Sequence, residues 1–236
     1  MLFINRGLIY TFRANRYLLN KDYIKGYALL HRAFNTHTIP PIVISGYIFL
    51  SLKYNYLDNA KIAIDYVLSN KFTYKLKDTQ RKNILSQQGL YLWKNGDLKA
   101  GLDIFRSLYI EGFWNSNFYG SFGCLLYLNG DLTKAEELCL EAYEYDNNDK
   151  ITLDNLVAIY IATEKWDKAQ EFYNLLEPLS PAFPEAFYHG AQLAMYRGET
   201  PEAKKLALKA DLLPMYNLSS ISKDEIQILL NKLEDI

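Results

Sequence analysis

The sequence predicts an all-α chain, an α-solenoid of six helix hairpins closed by a C-terminal capping helix. Three observations predict it. First, one turn-and-helix heptad recurs. It is clearest as Asn129-Gly-Asp-Leu-Thr-Lys-Ala135 and Asn95-Gly-Asp-Leu-Lys-Ala-Gly101. Looser copies run from Thr163 to Ala169, Arg197 to Ala203, Asn20 to Gly26 and Tyr54 to Ala60. Second, the small residue ending each copy stands at 26, 60, 101, 135, 169 and 203, so the steps are 34, 41, 34, 34 and 34. A fixed period in this range marks stacked repeats. Third, large apolar residues keep fixed offsets from that small residue, as paired helices require.

The chain reads in order as follows. Residues 6–19 and 22–35 form the first hairpin, and the stretch His37-Thr-Ile-Pro-Pro41 ends it, because a residue before proline is pushed out of helical space. Residues 42–54 and 57–70 form the second. Seven extra residues then fall in Lys71–Lys82, a basic stretch. Seven is close to two helical turns, so the insertion fits as lengthened flanking helices or as a solvated basic connector. The third pair covers 79–94 and 97–110, and the fourth covers 118–128 and 131–145. Asp146-Asn-Asn-Asp149 is a turn cluster before the fifth pair, 151–163 and 166–177. Pro178, Pro181 and Pro184 lead into the sixth, where Thr200 is the expected N-cap and Pro201 suits the first helical turn. Ser222-Lys-Asp-Glu225 has the form of a capping box, and Ile226, Leu229, Leu230 and Leu233 follow at helical spacing. An array needs such an end piece to cover its last stacking face. The organisation is one array over 1–236, with repeats at 7–40, 41–74, 82–115, 116–149, 150–183 and 184–213 and a cap helix at 222–235.

A hairpin cannot cover its own apolar face, and close helix crossings need small residues. Gly26, Ala60, Gly101, Ala135, Ala169 and Ala203 fill that slot, with Ala14, Gly89, Gly123 and Ala191 twelve residues earlier in their repeats. Tyr10, Ile44, Leu85, Tyr119, Leu153 and Phe187 stand sixteen before the slot. Leu30, Ile64, Phe105, Cys139, Tyr173 and Ala207 stand four after it. With this 34-residue period, the Gly-Asp turn and the Ala-x-x-x-aromatic spacing, the chain resembles the tetratricopeptide repeat (TPR) family. The fourth repeat matches the family pattern as Tyr119-x-x-Phe122-Gly123-x-x-Leu126 with Ala135 and Cys139. The fifth matches as Leu153-x-x-Leu156-Val157-x-x-Tyr160 with Ala169, Tyr173 and Pro181. The resemblance spans residues 7–213; Arg13 and Gln88 depart from its leucine slot. It implies a right-handed solenoid whose first helices line a concave groove for an extended peptide or a partner helix.

Counting along each first helix for positions turned from its hairpin mate gives Leu8, Thr11 and Asn15, Ile42, Ser45 and Phe49, and Ser86, Leu90 and Trp93. The later repeats add Asn117, Cys124 and Tyr127, Asp154, Ala158 and Ile161, and Tyr188, Gln192 and Met195. Exposed apolar patches of this kind mark binding sites. The expected partner-binding surface is Phe49, Leu90, Trp93, Tyr127, Tyr188 and Gln192; the competing reading is that curvature lets these residues touch one another. One branch of the family grips a C-terminal carboxylate with Lys and Asn. Here Asn15 alone fits, with Thr11 and Gly46 at the partner positions, so no such clamp is expected.

The composition narrows the function classes. Lys plus Arg is 26 and Asp plus Glu 27, without the basic surplus of a phosphate binder. No apolar run approaches the ~20 residues that span a bilayer, and the start lacks the charged n-region of a signal peptide. The two cysteines, Cys124 and Cys139, read as reduced thiols in an intracellular protein, one facing the groove and one in the core. His31, His37 and His189 offer neither a Cys–His pair nor zinc-ligand spacing, and nothing in the sequence orients His189. The expectation is therefore a cytoplasmic, non-catalytic protein–protein interaction scaffold. It has no cofactor or metal, a protein or peptide partner, no nucleic acid and no membrane insertion. The alternatives are end-to-end self-assembly into a homo-oligomer, or the soluble part of a membrane-anchored complex.

Overall fold

The structure, a computed structural model, describes residues 6–37 and 40–235. Thr38 and Ile39, within the stretch expected to end the first hairpin, lie outside the described residues, as do the first five residues and the last. Among the described residues there are thirteen α-helices and no strand. They are α1 (Arg6–Leu19), α2 (Tyr23–Phe34), α3 (Pro41–Lys53), α4 (Leu57–Leu68), α5 (Asp78–Lys94) and α6 (Leu98–Ile110), then α7 (Ser116–Leu128), α8 (Leu132–Tyr145), α9 (Lys150–Ala162), α10 (Trp166–Leu176), α11 (Pro184–Tyr196), α12 (Thr200–Leu212) and α13 (Lys223–Glu234). Successive helices pair as six hairpins, and the helices fall into two compact units, residues 1–113 and 114–236. No described helix is long and apolar enough to cross a membrane.

Every hairpin turns by the same device. Lys21, Asn55, Gly96, Gly130, Glu164 and Gly198 all have positive φ, between 57° and 94°. They stand one repeat step apart, just past the first helix of each pair. The next residue's N–H reaches back to a carbonyl five positions upstream: Asp22 to Tyr17, Tyr56 to Ser51, Asp97 to Leu92, Asp131 to Leu126, Lys165 to Tyr160 and Glu199 to Ala194. This is a Schellman closure, which satisfies the orphan carbonyls of a helix end and favours glycine at the left-handed position. Three hairpins use glycine there, and three hold a residue with a Cβ.

Small residues set the crossings as the sequence suggests. A Cβ on Gly101 would lie 2.6 Å from the Gly89 carbonyl oxygen, so α5 and α6 approach backbone to backbone. Gly123 backs onto the Cys139 thiol, and Gly190 onto the Tyr173 ring. Around the crossings, Ile44, Tyr119, Leu153 and Phe187 are buried, as are Leu30, Ile64, Phe105, Cys139 and Tyr173. Burying a side chain of this size is worth about 1.5–3 kcal/mol. In the third repeat the buried residue is Ile84 and not Leu85, which is half-buried.

The insertion is split. Residues 69–77 form a connector, and α5, at 17 residues, is the longest helix. Thr200 is the first residue of α12, and Glu199 occupies the N-cap without a side-chain bond, a correction to the expected cap. The C-terminal helix is seated as expected. Ser222 and Glu225 form the capping box, and Ile226, Leu229, Leu230 and Leu233 pack with Ala203, Leu206 and Ala210 of the sixth hairpin. End-on stacking would need that face, and α13 occupies it.

Charge divides with the fold. Residues 1–113 carry sixteen Lys and Arg against seven Asp and Glu, a net of +9. Residues 114–236 carry ten against twenty, a net of −10.

Candidate functional site

The N-terminal unit holds three of the six expected site residues. Phe49 is 44% exposed on α3 and walls an open cavity of about 390 Å³. Leu18, Leu30, Ile42, Val43 and Leu50 supply further apolar walls, Gly46 also lines it, and no charged side chain is in the lining. Leu90 on α5 is only 8% exposed. Counting within its own hairpin leaves the position exposed, but α5 also packs against α3 and α4. Leu90 is therefore part of the core and offers little free contact area. Trp93, a turn further on, is half-buried, with the Lys94 ammonium 3.6 Å from its ring centre. Thr11, another groove position, is turned inward, its hydroxyl donating to the Gly7 carbonyl. A polar bridge missed in the sequence joins α3 and α5: Gln87 Nε2 donates to the Ser45 carbonyl and meets the Ser45 hydroxyl at 3.0 and 3.1 Å.

The C-terminal unit holds the other three. Tyr127 on α7 and Tyr188 and Gln192 on α11 are all half-buried. Gln192 Nε2 donates to the Tyr188 hydroxyl at 3.4 Å. Both phenols are held above the usual tyrosine range. For Tyr127 the cause is burial first, then the negative charges of Glu225, Cys124 and Asp154 when ionised. For Tyr188 it is again burial, then Glu225 and Tyr127. Glu225, at the first turn of α13, thus shares a neighbourhood with both rings, which the sequence did not suggest. Tyr127 and Tyr188 remain neutral hydroxyls, able to donate or accept a hydrogen bond beside an apolar ring face.

Behind these rings lies a buried pair. His189 Nδ1 sits 2.9 Å from Asp154 Oδ1, with the residues 3% and 5% exposed. The sequence left His189 without an orienting partner; the fold supplies one from α9. Burial is the largest influence on His189 and pulls its pKa down. The charge and hydrogen bond of Asp154, with Glu185 and Glu225 adding to them, outweigh it, and the net shift is upward. Next to this pair, Asn155 Nδ2 donates to the Gly120 carbonyl at 2.8 Å, joining α9 to α7.

The remaining titratable residues have structural surroundings. His31 Nδ1 is 2.6 Å from the Tyr47 hydroxyl within an aromatic stack of Tyr27, Phe34 and Tyr47. Cys139 is buried and Cys124 half-buried, and neither is joined in a disulfide. Burial pushes the Cys139 thiol far up. Among the described residues, no group of three or more His, Cys, Asp or Glu side chains could hold a metal ion.

Solved structures with the same course of helices are numerous. A tetratricopeptide repeat protein from Parabacteroides merdae is 12% identical over 97% of this chain and 99% of its own, with a TM-score of 0.56. PilW, a widely conserved type IV pilus biogenesis factor, is 14% identical over 95% and 98%, with a TM-score of 0.64. YrrB, a TPR protein with an unusual peptide-binding site, is 17% identical over 88% and 98%, with a TM-score of 0.52. No protein-family model and no curated protein sequence matches the chain. At this identity the likeness is one of fold.

Proposed function

We propose, starting from the tetratricopeptide-repeat fold that this chain has, that it is a non-catalytic protein–protein interaction scaffold which binds a peptide or partner helix along its first-helix faces. The observation that carries this reading is the set of Tyr127 on α7 and of Tyr188 and Gln192 on α11, all half-buried, with Gln192 bonded to the Tyr188 hydroxyl. Rigid aromatic rings with a polar tip give large contact area at little entropic cost, and they are enriched where proteins bind one another. Repeat arrays hold such residues on helices whose positions are fixed by their neighbours. YrrB, of the same fold, is described as having a peptide-binding site.

Phe49 and the apolar cavity beside it form a second contact in this reading, with Trp93 available on α5. Leu90 is buried and makes no contact in this reading. The test is affinity capture from native extract with the wild type, Tyr127→Ala/Tyr188→Ala and Trp93→Ala/Tyr127→Ala. Circular dichroism verifies the fold of each. Loss of the same specific partner in both variants supports the reading. Full retention of that partner by the Tyr127→Ala/Tyr188→Ala protein refutes it.

A further inference from the structure

Helix α1 is built inside out. The residues it buries are small: Gly7, Thr11 and Ala14. Leu18 is half-buried against Gly26 of α2, but the other large aliphatic side chains and Phe12 are exposed. Phe12 is 77% exposed and Leu19 83%, with Ile9 also exposed; Ile24, in the first turn of α2, is 84% exposed. A helix that packs on a core shows the reverse order, with its large apolar residues on the buried stripe. Phe12 and Leu19 are seven residues apart and Ile9 is three before Phe12, so they share one side of the helix.

A basic stripe runs alongside. Arg6 and Arg13 are also seven apart, and Arg16, seven after Ile9, stands on the line between Ile9 and Phe12; all three are exposed. No acidic residue occurs from Arg6 to Lys21, and among the described residues no ion pair engages these arginines. Two of the four other arginines are paired, Arg106 with Asp103 and Arg197 with Glu199. Arg13, Arg16, Tyr17 and Asn20 surround a recess of about 410 Å³, large enough for a phosphate group between two guanidiniums. The whole unit carries the net +9 described above.

We propose that α1 and the first turn of α2 form a docking surface for an anionic lipid bilayer. Phe12, Leu19 and Ile24 enter the boundary between headgroups and acyl chains, and Arg13 and Arg16 hold lipid phosphates. A helix with exposed Phe and Leu on one side and arginines beside them lies in the plane of such an interface and does not span it. The alternatives fit less well. A symmetric dimer through α1 would set the arginines of one copy against those of the other. Nucleic acid would meet the arginines, but Leu19 and Ile24 have no π-face on which a base could stack. A partner helix seats its side chains in a groove, whereas these protrude.

The test is co-sedimentation of the full chain with vesicles of phosphatidylcholine alone and of phosphatidylcholine with phosphatidylserine. Wild type should bind the mixed vesicles, bind the neutral ones far less, and release as salt rises. Phe12→Ser/Leu19→Ser changes only exposed positions, so it should keep its helical spectrum and lose vesicle binding. Arg13→Gln/Arg16→Gln should weaken binding by about 25-fold, from ~1 kcal/mol per arginine at an anionic surface. Equal binding to both vesicle types, no binding to either, or undiminished binding by Phe12→Ser/Leu19→Ser overturns the proposal. It is also overturned if sedimentation velocity without vesicles shows a dimer that Phe12→Ser/Leu19→Ser dissolves, because a second copy then covers the face. A single-stranded oligonucleotide that binds wild type and Phe12→Ser/Leu19→Ser equally would overturn it in favour of nucleic acid.

Discussion

Replacing Asp154 with asparagine should reverse the way stability depends on pH. Asp154 and His189 meet at 2.9 Å, almost wholly buried. Asparagine keeps an oxygen for the His189 Nδ1–H but removes the charge. The raised pKa of His189 means that, in wild type, folding favours the protonated ring. An unperturbed histidine titrates near about 6.5. The stabilisation from this group is therefore complete below about pH 6.5 and is lost as pH rises through the higher folded value. Without Asp154, burial is the dominant influence and holds the folded pKa below the unfolded one. The variant should then gain stability as pH rises through about 6.5. Breaking one side of a buried pair costs about 3–5 kcal/mol. The retained hydrogen bond places Asp154→Asn at the lower end, with Asp154→Ala above it. Urea unfolding at a series of pH values, with amide exchange in α9 and α11 as a local reading, measures both. Other titrating groups cancel in the difference between wild type and variant. Parallel stability curves across the range from about pH 5.5 to 8.5 would refute the reasoning.

The remaining expectations concern packing, turns and thiols. Gly101→Ala places a methyl group against the Gly89 carbonyl, and urea unfolding should show a loss of about 1–3 kcal/mol, the cost of overpacking. Glu164→Gly should raise stability by about 0.5–1 kcal/mol, because relief of a left-handed non-glycine exceeds the entropy glycine adds to the unfolded chain; a loss on thermal unfolding would contradict the turn geometry. Under native conditions a thiol reagent should modify Cys124 and spare Cys139, with both reacting after denaturation; peptide mapping distinguishes the two sites. Ser222→Ala removes the capping-box hydroxyl and should cost about 1 kcal/mol, seen as faster amide exchange confined to α13.

Much of the scaffold was legible because the repeat spacing is a physical spacing. Gly96, Gly130 and Gly198 mark three left-handed turns outright, and the period then places the other three on Lys21, Asn55 and Glu164. The capping box at Ser222 and Glu225 was visible as a local pattern. The site was less legible. Counting within one hairpin left Leu90 exposed; α5 also meets α3 and α4 of the neighbouring hairpin, and Leu90 is buried. Asp154 and His189 looked unrelated. They are 35 residues apart, as are Gly120 and Asn155, and Ser45 and Gln87 are 42 apart where the local step is 41. One period plus one residue therefore aligns facing positions on adjacent first helices, a rule that would have joined all three pairs. Glu225 escaped notice beside Tyr127 and Tyr188 because it belongs to α13, outside the period.

The partition of charge between the units has a consequence for handling in solution. A total of −1 suggests a molecule indifferent to ionic strength. Here, however, opposite electrical signs reside on separate parts of each molecule, and the screening distance grows from ~8 Å at physiological salt to ~30 Å in dilute buffer. Dilute buffer should accordingly draw unlike regions of different molecules together and cloud the solution, and added electrolyte should clear it. Cation and anion exchange resins should each retain the protein at one neutral pH.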